Sequence, residues 1–118
     1  MTILIVDDEP RVAELLAESV RLQGHEAIVA GSGMEGLALL EQRRPAAVFL
    51  DIVMPELNGI EVLRRIRQTD RNLPVIIITG RASPEQIDEA RRLGITECVE
   101  KPFVLKQINQ ALNSLGAD

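Results

Sequence analysis

The sequence predicts an α/β fold, a doubly wound sheet of five parallel strands with helices on both faces. Three observations predict it. Five short apolar runs alternate with five stretches of helical periodicity. The connections between them are short, as in successive βα units. Two of the runs, Ala47–Leu50 and Val75–Ile78, are unbroken hydrophobics, as parallel strands covered on both faces are. Crossovers in such a sheet are right-handed. Ligands bind beyond the carboxyl ends of its strands, near the point where strand order reverses.

The expected strands are residues 3–6, 26–30, 47–50, 74–79 and 97–100. After the first, Val12, Leu15, Leu16 and Val20 recur at helical spacing. Pro10 stands near that helix's first turn and Gly24 beyond its end. Leu37 with Leu40 marks the second helix, and Leu63 with Ile66 the third. Ile87, Ala90 and Leu93 mark the fourth, opened by Ser83-Pro84 and closed by Gly94. Leu105, Ile108, Leu112 and Leu115 mark the fifth, closed by Gly116. No repeat, linker or low-complexity tract interrupts the series, so residues 1–118 are expected to form one domain.

Composition excludes several functions. Phe49 and Phe103 are the only aromatics, too few for a surface that stacks single-stranded nucleic acid. A net charge of −5 argues against direct binding to DNA. No run approaches the ~18 apolar residues of a membrane span. No signal peptide precedes the first strand, and the single cysteine, Cys98, fits a reducing cytoplasm.

The chemistry gathers at one sheet edge. Asp7 and Asp8 follow the first strand and Asp51 ends the third, so half of the six aspartates lie at two strand ends. If those strands are neighbours, three carboxylates converge. Like charges that close raise one another's pKa, and a hard divalent cation, Mg²⁺ above all, keeps them ionised. Thr79 ends the fourth strand and Lys101-Pro102 follows the fifth, adding a hydroxyl and an ammonium. With eleven Arg and two Lys in the chain, a Lys here points to a need for a compact charge. Singly, each signal has a plain structural reading. An Asp at a strand end is commonly a turn or helix cap, and Asp7-Asp8 suits the N-cap ahead of Pro10. Thr suits a strand, and Lys before Pro suits a solvated loop. Their concentration after strands one, three, four and five favours a site.

Here the chain resembles the receiver domains of two-component response regulators, the chemotaxis-type fold. The matching segments are Ile3–Pro10, Phe49–Pro55, Asn58-Gly59, Ile78–Gly80 and Lys101–Phe103, in order and along essentially the whole chain. The resemblance implies a flavodoxin-like (βα)₅ sandwich with strand order 2-1-3-4-5. It implies Asp51 as phosphoacceptor, with Mg²⁺ held by Asp8, Asp51 and the Val53 backbone carbonyl, and by Asp7 through water. Thr79 would hydrogen-bond a phosphoryl oxygen. Lys101 would pair with Asp51 or its phosphoryl group, aimed inward by a cis bond to Pro102. The implied partners are a histidine kinase or histidine phosphotransfer protein upstream. Downstream, a separate protein or a C-terminal output domain would read the face of helix four, strand five and helix five. Such a domain is not a turnover enzyme: it catalyses its own aspartyl phosphorylation and slow dephosphorylation. The sole histidine, His25, falls at the start of strand two, so the phosphoryl group must come from outside.

Other readings fit less well. A flavodoxin-like carrier needs a hydroxyl- and glycine-rich phosphate loop after strand one, where this chain has Asp-Asp-Glu-Pro. An Asp-nucleophile phosphatase usually carries a second Asp two residues on, where Val53 stands. No Walker loop occurs. A degenerate receiver that only binds partners is at odds with the complete acid set. Two departures from the family concern output. Cys98 occupies the position, three before the Lys, where the family usually has a switch Tyr or Phe. A small thiol presents little surface, so coupling by backbone movement of strand five and helix four is expected. A redox role for Cys98 is the sharper alternative, although nothing basic in sequence marks a lowered pKa. The charged pattern of the strongly dimerising branch is absent from Leu105–Leu115, so any homodimer is expected to be weak and phosphorylation-dependent.

Overall fold

The computed structural model describes residues 1–103 and 105–115. Five strands and five helices alternate: β1 (Thr2–Val6), α1 (Pro10–Leu22), β2 (Glu26–Ala30), α2 (Gly33–Arg43), β3 (Ala47–Asp51), α3 (Gly59–Thr69), β4 (Val75–Thr79), α4 (Pro84–Leu93), β5 (Glu97–Glu100) and α5 (Leu105–Leu115). All pairings are parallel, in the order β2-β1-β3-β4-β5, as expected. Strand order reverses between β1 and β3, whose carboxyl ends carry the acids.

Strand alternation divides the core in two. Ile3, Ile5, Phe49, Ile76, Ile78 and Val99 pack with Leu16, Val20, Ile108 and Leu112 on the α1–α5 face. Leu4, Val6, Val48, Leu50, Val75 and Ile77 pack with Leu63, Ile66 and Ala90 on the α2–α3–α4 face. Consecutive strand residues point to opposite faces, so a strand serving both layers must be apolar throughout. β3 and β4 are buried at every position, whereas the edge strands β2 and β5 are only partly covered. Fully burying a Leu or Ile side chain contributes roughly 1.5–3 kcal/mol, so this double core accounts for most of the driving force.

The helix signals are satisfied in different ways. Pro10 is the first residue of α1, and Gly24 follows its end with φ 88°. Ser83 caps α4 with a reciprocal pair, its Oγ accepting from Gln86 N while Gln86 Oε1 accepts from Ser83 N. Ser32 and Asn58 cap α2 and α3 with one such bond each, accepting from a Glu amide three residues on. α2 ends on Arg44 in the left-handed region, at φ 45°, with no glycine there. The Gly116 stop and the Leu105 side chain lie outside the described residues. No helix among the described residues is long and apolar enough to cross a membrane.

Candidate functional site: an acid cluster at the sheet's switch point

Register builds the site. Val6 pairs with Leu50, so Asp7 and Asp51 come next, side by side. Asp51 pairs with Ile78, and Thr79 pairs with Glu100, the residue before Lys101. By strand alternation Asp51 follows Phe49 toward the α1–α5 layer, while Thr79 follows Ile77 toward the α4 layer. Acid and hydroxyl therefore approach the same edge from different layers.

One oxygen or ligand atom from each of Asp7, Asp8 and Asp51 lies within 4.8 Å of the others. Asp7 and Asp51 are buried, at 2% and 3% exposure, and Asp8 is half-buried. The N-cap reading of the acid pair does not hold: Glu9 takes the cap position of α1 and makes no side-chain cap bond. Asp7 Oδ1 instead accepts from Glu9 N at 2.9 Å. Asp51 Oδ1 accepts from Val53 N at 3.2 Å.

Lys101 Nζ stands among the acids, 3.2 Å from Asp51 Oδ2, 3.2 Å from Asp7 Oδ2 and 2.7 Å from Glu9 Oε1. The Asp7 contact is an ion pair without hydrogen-bond geometry. Asp7 Oδ2 is thus a buried carboxylate oxygen with no hydrogen-bond donor among the described residues. Burying such an atom is costly unless a cation compensates it. The Lys101–Pro102 bond is cis, and Lys101 N donates to Thr79 O at 2.6 Å. Thr79 is 3% exposed, and its Oγ1 accepts from Ala82 N at 3.0 Å. This ties the hydroxyl to the β4–α4 loop and leaves its own proton free to donate.

Electrostatics match the crowding, with one change of emphasis. Burial, more than like charge, raises Asp51 from 3.8 to about 6, with the Asp7 carboxylate second and Lys101 opposing both. Asp7 is also raised, chiefly by burial. Burial pulls Lys101 down, but Glu9, Asp51 and Asp7 together outweigh it and hold the ammonium above its ordinary range. The donor set is all oxygen, closely spaced and acidic, with one Asp7 oxygen short of a hydrogen bond, which fits a hard divalent cation such as Mg²⁺.

Three site residues escaped sequence reasoning in whole or part. Glu9 reads as one more acid of the run, yet it makes the shortest contact to Lys101. Gly59 lies in a matching segment, but its physical role appears only in three dimensions. A Cβ there would meet Asp51 O at 2.2 Å and Ile52 Cα at 2.5 Å, so only glycine lets α3 start against the acceptor's backbone. Gly80 lies close against the Lys101 stem: a Cβ there would stand 3.2 Å from Lys101 Cβ, tight enough that the side chain would have to shift slightly. The clue to both was Gly directly after a polar residue at an element boundary. Cys98 pairs with Ile77 and packs half-buried against the α4 layer. Burial raises its thiol pKa, with Arg91 opposing, which disfavours the redox alternative. His25 sits before β2, at the opposite end of the sheet, with Nδ1 3.1 Å from the Met1 amino group.

Residues 3–113 match the family described as the response regulator receiver domain. The chain belongs to the response regulator receiver family. Response regulator MprA of Mycobacterium sp. (strain KMS) is 36% identical over 113 residues, covering 96% of this chain and 49% of that protein. The probable transcriptional regulatory protein TcrX of Mycobacterium tuberculosis is 32% identical over 115 residues, covering 98% and 49%. This receiver thus spans about half the length of the curated relatives it matches. Among solved structures, the receiver domain of NtrX from Brucella abortus superposes with a TM-score of 0.89 at 34% identity, covering 98% of this receiver and 99% of that chain. Chemotaxis protein CheY4 of Vibrio cholerae gives 0.89 at 26% identity, covering 97% of each. Two-component signalling is therefore this receiver's setting.

Proposed function

We propose that residues 1–118 form a single receiver domain that accepts a phosphoryl group on Asp51 in a Mg²⁺-dependent reaction. The donor is a phosphohistidine of a histidine kinase or histidine phosphotransfer protein. The P–N bond to histidine breaks as a P–O bond to an Asp51 carboxylate oxygen forms, and the imidazole leaves with the electron pair. The observation that carries this reading is the Asp7 oxygen without a donor beside the buried Asp51 carboxylate, with Lys101 3.2 Å from both acids. Asp8, Asp51 and the Val53 backbone carbonyl would hold Mg²⁺, with Asp7 acting through water. Bound there, the ion offsets the repulsion between carboxylate and phosphoryl oxygens and stabilises charge on the transferring group.

The chain's own groups do the rest. Val53 N–H holds Asp51 Oδ1 and so orients the nucleophile. Lys101 supplies a positive charge beside Asp51, where negative charge collects. Thr79 Oγ1 donates to a phosphoryl oxygen, and the pull passes through Ala82 N to α4. The altered face of α4, β5 and α5 then controls a downstream protein or a C-terminal output domain. The setting is the cytoplasm. The chain catalyses only its own phosphorylation and slow dephosphorylation, binds no nucleic acid directly, and forms at most a weak phosphorylation-dependent homodimer.

Incubation with Mg²⁺ and a small acyl phosphate tests this by intact mass. One phosphoryl group should be added, and none in chelator. Addition to the Asp51→Asn chain at the normal rate would overturn the assignment, as would an unmodified wild-type chain.

A further inference from the structure

Glu9 has no place in the acceptor reading, yet it makes the shortest contact to the Lys101 ammonium. Lys101 Nζ is 2.7 Å from Glu9 Oε1, against 3.2 Å from Asp7 and from Asp51. Charge-assisted N–H···O bonds run at about 2.7–2.9 Å, so the Glu9 bond is the strongest of the three by geometry. The residue is also released for the task. A side chain at an N-cap ordinarily accepts from the helix's own amides, and Glu9 does not. Its backbone amide is pinned to Asp7 Oδ1, which fixes where the carboxylate starts. Exposure differs sharply across the bond: the Lys101 side chain is 15% exposed and that of Glu9 is 52%. Water readily takes over on the Glu9 side, so giving up the bond costs little. The Arg81 guanidinium also acts on Glu9, and it remains as a counter-charge when the ammonium departs.

We infer that Glu9 is a positioning residue: in the resting chain it holds the Lys101 ammonium in competition with Asp51 and Asp7, and it yields the ammonium to the phosphoryl group on Asp51. The inference rests on the acceptor reading above. In the resting chain one ammonium is shared by three carboxylates. A phosphoryl group brings several acceptor oxygens and more charge than one half-exposed carboxylate, so it wins. Until then Glu9 is a competitor, and it slows the arrival of Lys101 where charge develops.

Glu9→Gln keeps the side chain's length and the loop's backbone bond while weakening the hold on Lys101. Phosphorylation by a small acyl phosphate with Mg²⁺ should become roughly two- to fivefold faster, the range that such a half-exposed ion pair carries. Loss of repulsion toward the anionic donor would also speed the reaction, and two controls separate the causes. Glu9→Asp keeps the charge but is one methylene too short, so it should behave like Gln rather than wild type. In a Lys101→Met background, Glu9→Gln should change nothing, because its effect runs through the ammonium. With only two lysines in the chain, the Lys101 Nζ resonance is directly assignable. It should move on Glu9→Gln in the resting chain and not in the phosphorylated one. An equal gain in the Lys101→Met background, wild-type behaviour of Glu9→Asp, or an unmoved resonance would overturn the proposal. A chain that takes no phosphoryl group in any variant sinks the acceptor reading and, with it, the competition. The resting resonance would then still report whether Glu9 holds the ammonium, so the two failures are distinct.

Discussion

Replacing Asp51 with Asn should stabilise the metal-free chain while abolishing phosphorylation there. The magnitude follows from the site. Burial first, and the neighbouring Asp7 second, raise Asp51 from 3.8 to about 6 even with Lys101 beside it. At about 1.4 kcal/mol per pH unit, the ionised carboxylate costs the folded state about 3 kcal/mol. The group is 3% exposed, so solvent screening removes little of that. The sign runs with the raised pKa of an acid. Between pH 3.8 and 6 the folded state binds more protons than the unfolded one, so stability falls as pH rises. The penalty is absent below about 3.8 and complete above about 6. Asn carries no charge at any pH. In chelator at pH 7.5, Asp51→Asn should therefore melt on the order of 10 °C above wild type for a chain of this size. The gap should close as the buffer is taken toward pH 4. Mg²⁺ should narrow it from the other side, because wild type gains more from the ion than a chain lacking one ligand. An Asp51→Asn chain no more stable than wild type in chelator would refute the burial argument. So would a gap that does not change with pH.

Asp8→Ala should weaken Mg²⁺ binding by roughly tenfold or more while leaving the fold intact, as read by titration calorimetry. Gly59→Ala should destabilise the chain by at least ~2 kcal/mol in urea unfolding, because its Cβ would fall 2.2 Å from Asp51 O. It should also impair acceptance at Asp51 in the fraction that folds. Hydrogen exchange on phosphorylation should change most in residues 80–100, and a change confined to α1 and α2 would exclude the α4 route. Cys98→Ala should preserve phosphorylation, and Cys98 should alkylate more slowly at pH 7.5 than a free thiol, since burial raises its pKa.

What could be read from sequence was whatever depends on strand periodicity. Unbroken apolar runs meant two-sided burial, and β3 and β4 are buried throughout. Acids placed just past apolar runs meant acids at the sheet's edge, and register alone then brings Asp7 to Asp51. Contacts that depend on side-chain reach were not readable. Glu9 and Lys101 are 92 positions apart, and nothing local to either marks the other. Gly59 reads as a turn residue, but its need is set by the Asp51 carbonyl facing it. The end of α2 on Arg44 in the left-handed region was equally hidden, because a tertiary fold can impose there what propensity would assign to Gly or Asn.

The attachment of α4 shows why a small pull at Thr79 can be read at a distance. Ala90 is the helix's one buried residue. Leu93 adds a partly buried apolar contact to the same core, and the polar hold is concentrated near the helix ends. At the amino end Ala82 N donates to Thr79 Oγ1. At the carboxyl end the Arg67 guanidinium makes two bonds to Gly94 O, at 3.1 and 2.8 Å, from Arg67 Nε and Nη2. Between them Arg64 pairs with both Glu61 and Glu89, joining α3 to α4. Exposed ion pairs contribute little stability, so the middle tie yields easily. The Arg67 tie uses a partly buried cation on a backbone carbonyl and is the firmer one. A helix held weakly along its length and firmly at its far end pivots rather than translates when its near end is drawn in. Cys98, on the strand face toward that helix, would then need no rotamer change of its own, since movement of α4 across β5 would remodel the face by backbone shift. If Asp51 is the acceptor as proposed, the firm Arg67 anchor and the small Cys98 side chain would serve one device, in which the helix itself moves where an aromatic ring would otherwise swing.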